Sequence, residues 1–252
     1  MRYALSKLSI FIAALLIGCT DGVSDIGEKT SQEWGRVEAA SVNYDIEIVA
    51  SGLDHPWSMT FLNDGGFLVT ERIGVLNHIS ASGTKTPILD LRKDDTAPVH
   101  TKPGMQAGLF DVSLHPEFAT TRWVYLAYAA EVENGNTLRL IRYTLGPDNK
   151  SLSDKTILFT TTPARVQSNH FGGRITWRND GTLLLTHGDA FHFREKAQKL
   201  DNHFGKIIRL NDDGSVPTDN PFVGRDKALD DIWTYGHRNQ QGLITLSDGS
   251  IL

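Results

Sequence analysis

Two side chains that could move a proton together stand nineteen residues apart, His170 in NHFGGR and Asp189 in THGD. An imidazole titrates near neutral pH, which suits a general base. A carboxylate on its other nitrogen would fix the tautomer and stabilise the imidazolium that forms. Residues 175–177 and 183–186 read as paired strands around an Asn-Asp-Gly turn, so the chain can fold back and set Asp189 beside His170. Gly172-Gly173 follow the histidine directly and allow a backbone shape and a close approach that a Cβ resists. Further on, YGHRNQQG offers Arg238 and Asn239. The first is a permanent cation with a planar fork of donors, suited to an oxyanion or a polarised carbonyl. The second is a neutral donor and acceptor, and simple loop capping is the alternative for the pair. Gln106 in GMQAGLFDV is the third loop position of interest. His187, His192 and His203 fit no compact zinc spacing and no cysteine assists them, which argues against a zinc site.

The elements that must position these residues read as strands. Short apolar or alternating runs occur at 46–49, 59–62, 67–70, 123–128, 138–143, 175–177, 183–186, 207–210 and 232–235, with one short helical stretch at 195–200. Four segments share one design of apolar strand, tight turn and second apolar strand: SMTFLNDGGFLVT, DVSLHPEFATTRWVYLAY, RITWRNDGTLLLT and LITLSDGSIL. Their turns fall near Gly65, Phe118, Gly181 and Gly249, separated by 53, 63 and 68 residues. A hairpin recurring every roughly sixty residues predicts an all-β propeller of four-stranded antiparallel blades, with a β-sandwich as the alternative. The last hairpin is still in progress at Leu252, so the expectation is an incomplete propeller of about three and a half blades. In such a fold the loops between blades converge on a central channel, where residues distant in sequence can meet.

The N-terminus reads separately. Arg2 and Lys7 precede the apolar run LSIFIAALLIG, too short to span a bilayer as a mature helix, and Leu16-Ile17-Gly18-Cys19 follows. Residues 1–18 are expected to be a lipoprotein signal peptide with Cys19 acylated. An ordinary signal peptide with an incidental cysteine is the alternative. Cys19 is the only cysteine, so no intramolecular disulfide can form. Residues 19–43, polar and rich in Gly, Ser, Asp and Glu, would be the flexible leash, and 44–252 the partial propeller. The expected location is the periplasm, anchored to the membrane, with Thr20 after the cysteine favouring the outer one. Without the signal, 23 basic side chains face 30 acidic ones, a balance that does not recommend nucleic acid as a partner.

Several motifs in order are GLDHPWSMTFL, ERIGVL, GMQAGLFDVSLHPEF, NHFGGRITW with THGD, GKIIRLNDDGSVPTDNPF and IWTYGHRNQQG. In these the chain resembles the soluble-type PQQ-dependent sugar dehydrogenases, a family of six-bladed propellers that oxidise aldoses, over nearly all of 44–252. The resemblance implies an oxidoreductase acting on CH–OH donors, with PQQ and Ca²⁺ as cofactors and an aldose oxidised to its lactone. It makes His170 the base that takes the anomeric hydroxyl proton and Asp189 its orienting partner. Arg238 would stabilise charge on the quinone oxygen, Asn239 would hydrogen-bond the cofactor and Gln106 would contact sugar hydroxyls. It also implies that Gly172-Gly173 let cofactor and sugar approach the backbone. The calcium ligands it implies include carbonyls of a Gly-Pro segment expected beyond Leu252, so no metal ligand is assigned in this chain.

Two features depart from that family's pattern. Its Arg-Asn-Pro-Gln turn reads Arg238-Asn239-Gln240-Gln241 here, without the stiffening proline, and the stretch after Asp189 is the aromatic and basic AFHFRE. A non-enzymatic carbohydrate-binding propeller and a propeller lactonase are the competing functions. The electron acceptor is not legible in the sequence.

Overall fold

The computed structural model describes residues 46–252. The expected signal peptide, Cys19 and the leash at 19–43 lie outside the described residues. Residues 50–252 form one compact unit. Its twelve strands make three four-stranded antiparallel sheets, each in chain order. The first holds β1 (Pro56–Phe61), β2 (Phe67–Glu71), β3 (Val75–Ile79) and β4 (Lys85–Asp90). The second holds β5 (Leu109–Leu114), β6 (Trp123–Val132), β7 (Gly135–Leu145) and β8 (Leu152–Thr160). The third holds β9 (Gly172–Trp177), β10 (Leu183–His187), β11 (Lys206–Leu210) and β12 (Ile232–Tyr235). A fourth begins with the bridge between Thr245 and Ile251 around Gly249. These are propeller blades, as the hairpin repeat predicts.

One turn device recurs. Asp64, Asp180, Asp213 and Asp248 each accept the N–H two residues on, from Gly66, Thr182, Ser215 and Ser250, at 2.8–3.0 Å. The glycine after each aspartate takes φ between +81° and +85°, a left-handed conformation that a Cβ disfavours. The bond also holds the Asp64 carboxyl below the usual carboxylate range.

The innermost strands β1, β5 and β9 pack on one another in turn. Along β6 alternate residues enter two cores. Val124, Leu126, Tyr128 and Ala130 pack toward the first blade with Leu68, Leu76 and Leu109. Tyr125, Ala127 and Ala129 pack toward the third with Phe171, Ile175 and Leu183. Both faces of this strand are therefore covered, which explains its nearly unbroken apolar run. A single buried carboxylate ties the three innermost strands. Asp111 on β5 accepts from the Ser58 hydroxyl of β1 and from the Ile175 N–H of β9 at 2.8 Å.

Some sequence expectations are corrected. Residues 46–49 form no strand, and Ile46 and Ile48 are exposed; β1 starts later, at Pro56. The stretch 195–200 is a 3₁₀ turn, Arg194–Gln198, too short for an amphipathic helix. The connection at Phe118 is a one-turn helix, α1 (Phe118–Thr121), ended by Arg122 at φ 57°, where a tight hairpin turn was expected. Three strands lacked a clear pattern: β3 is wholly buried yet includes Asn77 and His78, β4 contains Pro87, and β8 is mostly polar. Both β4 and β8 are outer edges of their blades, where proline and charge are tolerated. Among the described residues no helix is long and apolar enough to cross a membrane.

Candidate active site

The chain enters the third blade through residues 161–171, and this segment is pinned to the start of the second. Ser168 O accepts from the main-chain N–H of Gln106 at 3.0 Å and of Ala107 at 3.1 Å. The Gln106 side-chain oxygen in turn accepts the His170 N–H at 2.7 Å. His170 adopts φ 52°, a left-handed conformation rarely taken by a non-glycine residue, and is 8% exposed. That backbone places the imidazole beside the end of β10. There His170 Nδ1 meets Asp189 Oδ1 at 2.7 Å, with both side chains buried. Asp189 Oδ1 also accepts the Phe191 N–H at 2.8 Å, and the Asp189 N–H donates to Arg238 O at 2.7 Å. Since a carboxylate only accepts, Nδ1 carries the proton and Nε2 is left as the basic nitrogen. Nε2 has no hydrogen-bond partner among the described residues. The arrangement can take up a proton at Nε2 and hold the resulting imidazolium against Asp189.

Glycines close this geometry, for reasons that differ from the sequence expectation. A Cβ on Gly172 would lie 2.8 Å from Thr186 Oγ1, and one on Gly173 would lie 2.7 Å from the Phe110 ring. Both glycines are thus required by packing within and between blades. Only Gly172 also lines the adjoining cleft. Gly188, which the motif reading did not single out, lets the two halves of the dyad meet, since its Cβ would fall 2.3 Å from His170 O. Gly173→Ala is expected to cost about 1–3 kcal/mol through overpacking and left-handed strain, read as a fall in the urea midpoint.

Beside the dyad lies a cleft of about 260 Å³, lined by Trp57, Phe110 and Phe171 on its apolar side and by Gln106, Asn239 and Gln241 on its polar side, with Arg72. Trp57 and Phe110 stand 5.5 Å apart centre to centre, and Phe110 and Phe171 5.3 Å. Asn239 uses its side-chain oxygen on the Gly172 N–H at 3.1 Å and on the Gln241 amide at 3.0 Å. The turn that lacks proline is held instead by Gln240, whose amide donates to Lys206 O at 3.3 Å. Arg238 is exposed, and its guanidinium makes no ion pair among the described residues; its charge lies 6.0 Å from the Phe191 ring. The Phe191 ring stands edge-on to His170 at 5.0 Å, on a backbone where Ala190 and Phe191 are both left-handed, at φ 55° and 65°.

The structure therefore brings His170, Asp189, Gln106, Arg238 and Asn239 into one neighbourhood. Gln106, expected to contact sugar hydroxyls, spends its amide oxygen on the His170 backbone. The aromatic cleft wall was not singled out in the sequence. Its only signal there is the placement of Trp57, Phe110 and Phe171 at or beside the innermost strands. His187 and His203 serve structural bonds, His187 Nδ1–H donating to His203 O at 2.7 Å and His203 Nε2 meeting Asp231 at 3.0 Å. Burial and the neighbouring Arg165 charge push the His187 imidazole well below its usual range.

The family model described as glucose / sorbosone dehydrogenase matches residues 53–252. The chain belongs to the glucose/sorbosone dehydrogenase family. Among its members with names, the aldose sugar dehydrogenase of Escherichia coli is 36% identical over 81% of this chain and 54% of its own length. Quinoprotein glucose dehydrogenase B of Acinetobacter calcoaceticus is 27% identical over 100% of this chain and 55% of its own. The apo-form crystal structure of the soluble E. coli aldose sugar dehydrogenase superposes with a TM-score of 0.71 at 32% identity, covering 81% of this chain and 59% of that one. The PQQ-bound form of aldose sugar dehydrogenase from Streptomyces coelicolor gives 0.69 at 26% identity, covering 82% and 57%. The chain spans about half the length of the curated relatives it matches.

Proposed function

We propose that the protein is a PQQ-dependent aldose dehydrogenase, an oxidoreductase acting on the anomeric CH–OH of an aldose and releasing the lactone. The observation that carries this reading is the buried His170–Asp189 pair, whose Nε2 has no partner among the described residues, standing directly before Phe171 and Gly172 of an aromatic and amide-lined cleft. His170 Nε2 takes the anomeric hydroxyl proton, Asp189 holds the imidazolium, and the carbonyl of the lactone forms as the anomeric hydride leaves. When bound, PQQ supplies the electron sink for that hydride. The donor set suits such a group: a planar polyanion can lie against Trp57, Phe110 and Phe171, with Arg72 and Arg238 for its charges and the Asn239 and Gln241 amides for its oxygens. Calcium is given no residue here, since the described residues contain no grouping of three His, Cys, Asp or Glu that could hold a metal ion.

The test is dye reduction by the full-length protein with PQQ and an aldose. Sugar-dependent reduction supports the reading. Sugar binding with no quinone spectrum on titration favours the non-enzymatic propeller, and chelator-sensitive lactone hydrolysis without dye reduction favours a lactonase.

The lipid anchor at Cys19 and a periplasmic, outer-membrane location are part of the same proposal, supported by the Leu16-Ile17-Gly18-Cys19 run. Expressed in a bacterium, the protein is expected to incorporate labelled fatty acid and sediment with membranes. Cys19→Ser should abolish both, and label retained in that variant would disprove the anchor.

A further inference from the structure

Arg165 has no assigned task, and its setting is unusual. Its main chain is bridged to Asn136 at the start of β7, N–H to O at 2.9 Å and O from N–H at 2.8 Å, and the residue is 3% exposed. The guanidinium lies over the Phe171 ring at 3.9 Å to the centroid. Its Nη1 donates to His170 O at 3.2 Å, while Nε and Nη2 are buried and have no partner among the described residues. Burial pulls its pKa down to about 9 against the opposing attraction of Asp189. A buried cation without a paired carboxylate is costly, and an uncharged side chain of similar volume could pack on Phe171 without that cost.

Two local needs account for a cation at this depth. The left-handed His170 backbone has its N–H held by Gln106, and its carbonyl accepts the Ala190 N–H at 3.4 Å and, at the shorter distance, the Arg165 guanidinium. The Asp189 carboxylate needs a countercharge that does not compete for Oδ1, which already serves His170 Nδ1–H and the Phe191 N–H. A guanidinium bonded to the next carbonyl supplies charge while leaving the dyad intact.

We infer that Arg165 is a positioning residue for the dyad, holding the His170 backbone and offsetting the Asp189 charge so that the imidazole keeps one tautomer, Nδ1–H. This rests on the reading of His170 as the base, but the tautomer can be measured without turnover. In ¹⁵N-histidine-labelled apoprotein, His170 should show one neutral tautomer in the wild type and in Arg165→Lys, and a mixture in Arg165→Met. His115, whose Nδ1 accepts the Glu117 N–H at 3.1 Å, is the internal control and should not change. Should Arg165→Met fail to fold, Arg165→Gln takes its place with the same expected mixture. In the PQQ-loaded protein, kcat should fall about 10- to 100-fold in the uncharged variant with KM little changed, and recover in Arg165→Lys. A single Nδ1–H tautomer in a folded uncharged variant overturns the inference. Loss of the base reading would appear separately, as dye reduction surviving in His170→Ala while the tautomer result stands.

Discussion

Aldose turnover by the PQQ-loaded full-length protein is expected to fall about 10²- to 10⁴-fold when His170 is replaced by alanine, since the group that receives the hydroxyl proton is gone. Asp189→Asn should be nearly as harmful, although it keeps the shape. Its amide can present an N–H to Nδ1, which moves the ring proton to Nε2 and removes the basic lone pair; a loss of about 10²-fold or more follows. Both effects should fall on kcat more than on KM, because neither side chain lines the cleft wall built from Trp57, Phe110 and Phe171. Stopped-flow and steady-state dye reduction measure them. Turnover within a few-fold of wild type in His170→Ala would remove the proposed base.

The largest effect on stability is expected at Asp111. Its carboxylate is buried and accepts from Ser58 on β1, Val112 on its own strand and Ile175 on β9, with Arg174 at 3.6 Å. Asp111→Ala leaves those donors and the Arg174 charge without their acceptor, at a cost of about 3–5 kcal/mol, read from urea unfolding. Asp111→Asn keeps an acceptor for the Ile175 N–H and can donate to Ser58, but its NH2 then faces the Val112 N–H and Arg174 loses its counter-charge, so it should lose less than alanine while remaining destabilised. Burial pushes the Asp111 carboxyl up, outweighing Arg174 and the hydrogen bonds. A carboxyl raised on folding favours the protonated native state. Its stabilising contribution is therefore complete below the ordinary carboxylate range and declines as pH rises through the raised value. The slope of stability against pH in that window should flatten in Asp111→Asn, and an unchanged slope would contradict this account.

Much of the architecture was legible because local chemistry and global fold agree. The Asp-Gly turns at 64–65, 180–181 and 248–249 announce themselves by residue type, and the strands they join alternate or run apolar. The dyad was legible for the same reason, since a hairpin of known length must return Asp189 to His170. What stayed hidden depends on neighbours distant in sequence. Val75–Ile79 is a strand although Asn77 and His78 interrupt its apolar pattern, because other blades and loops enclose it. Residues 46–49 look equally strand-like and pair with nothing among the described residues. Gly173 was read as room for a ligand, but the atom that fills the space is Phe110 of another blade, which no motif in NHFGGR reveals. Arg165 was silent for the same reason. A loop arginine is ordinarily solvated, and only the fold turns this one inward over Phe171.

The Gln106 bond to the His170 amide has a further use. It joins the approach to one blade to the approach to the next, so that N–H is shielded only while the two blades are docked. Its exchange with deuterated solvent is then a one-atom gauge of blade separation, placed on the very residue whose ring must be aligned. Within Leu183–His187 the amides are covered by sheet bonds on both sides and exchange only when the blade itself opens. A protein in which the His170 amide exchanges early while β10 stays protected would have intact blades and a misaligned base, a state that loses alignment well before it loses structure.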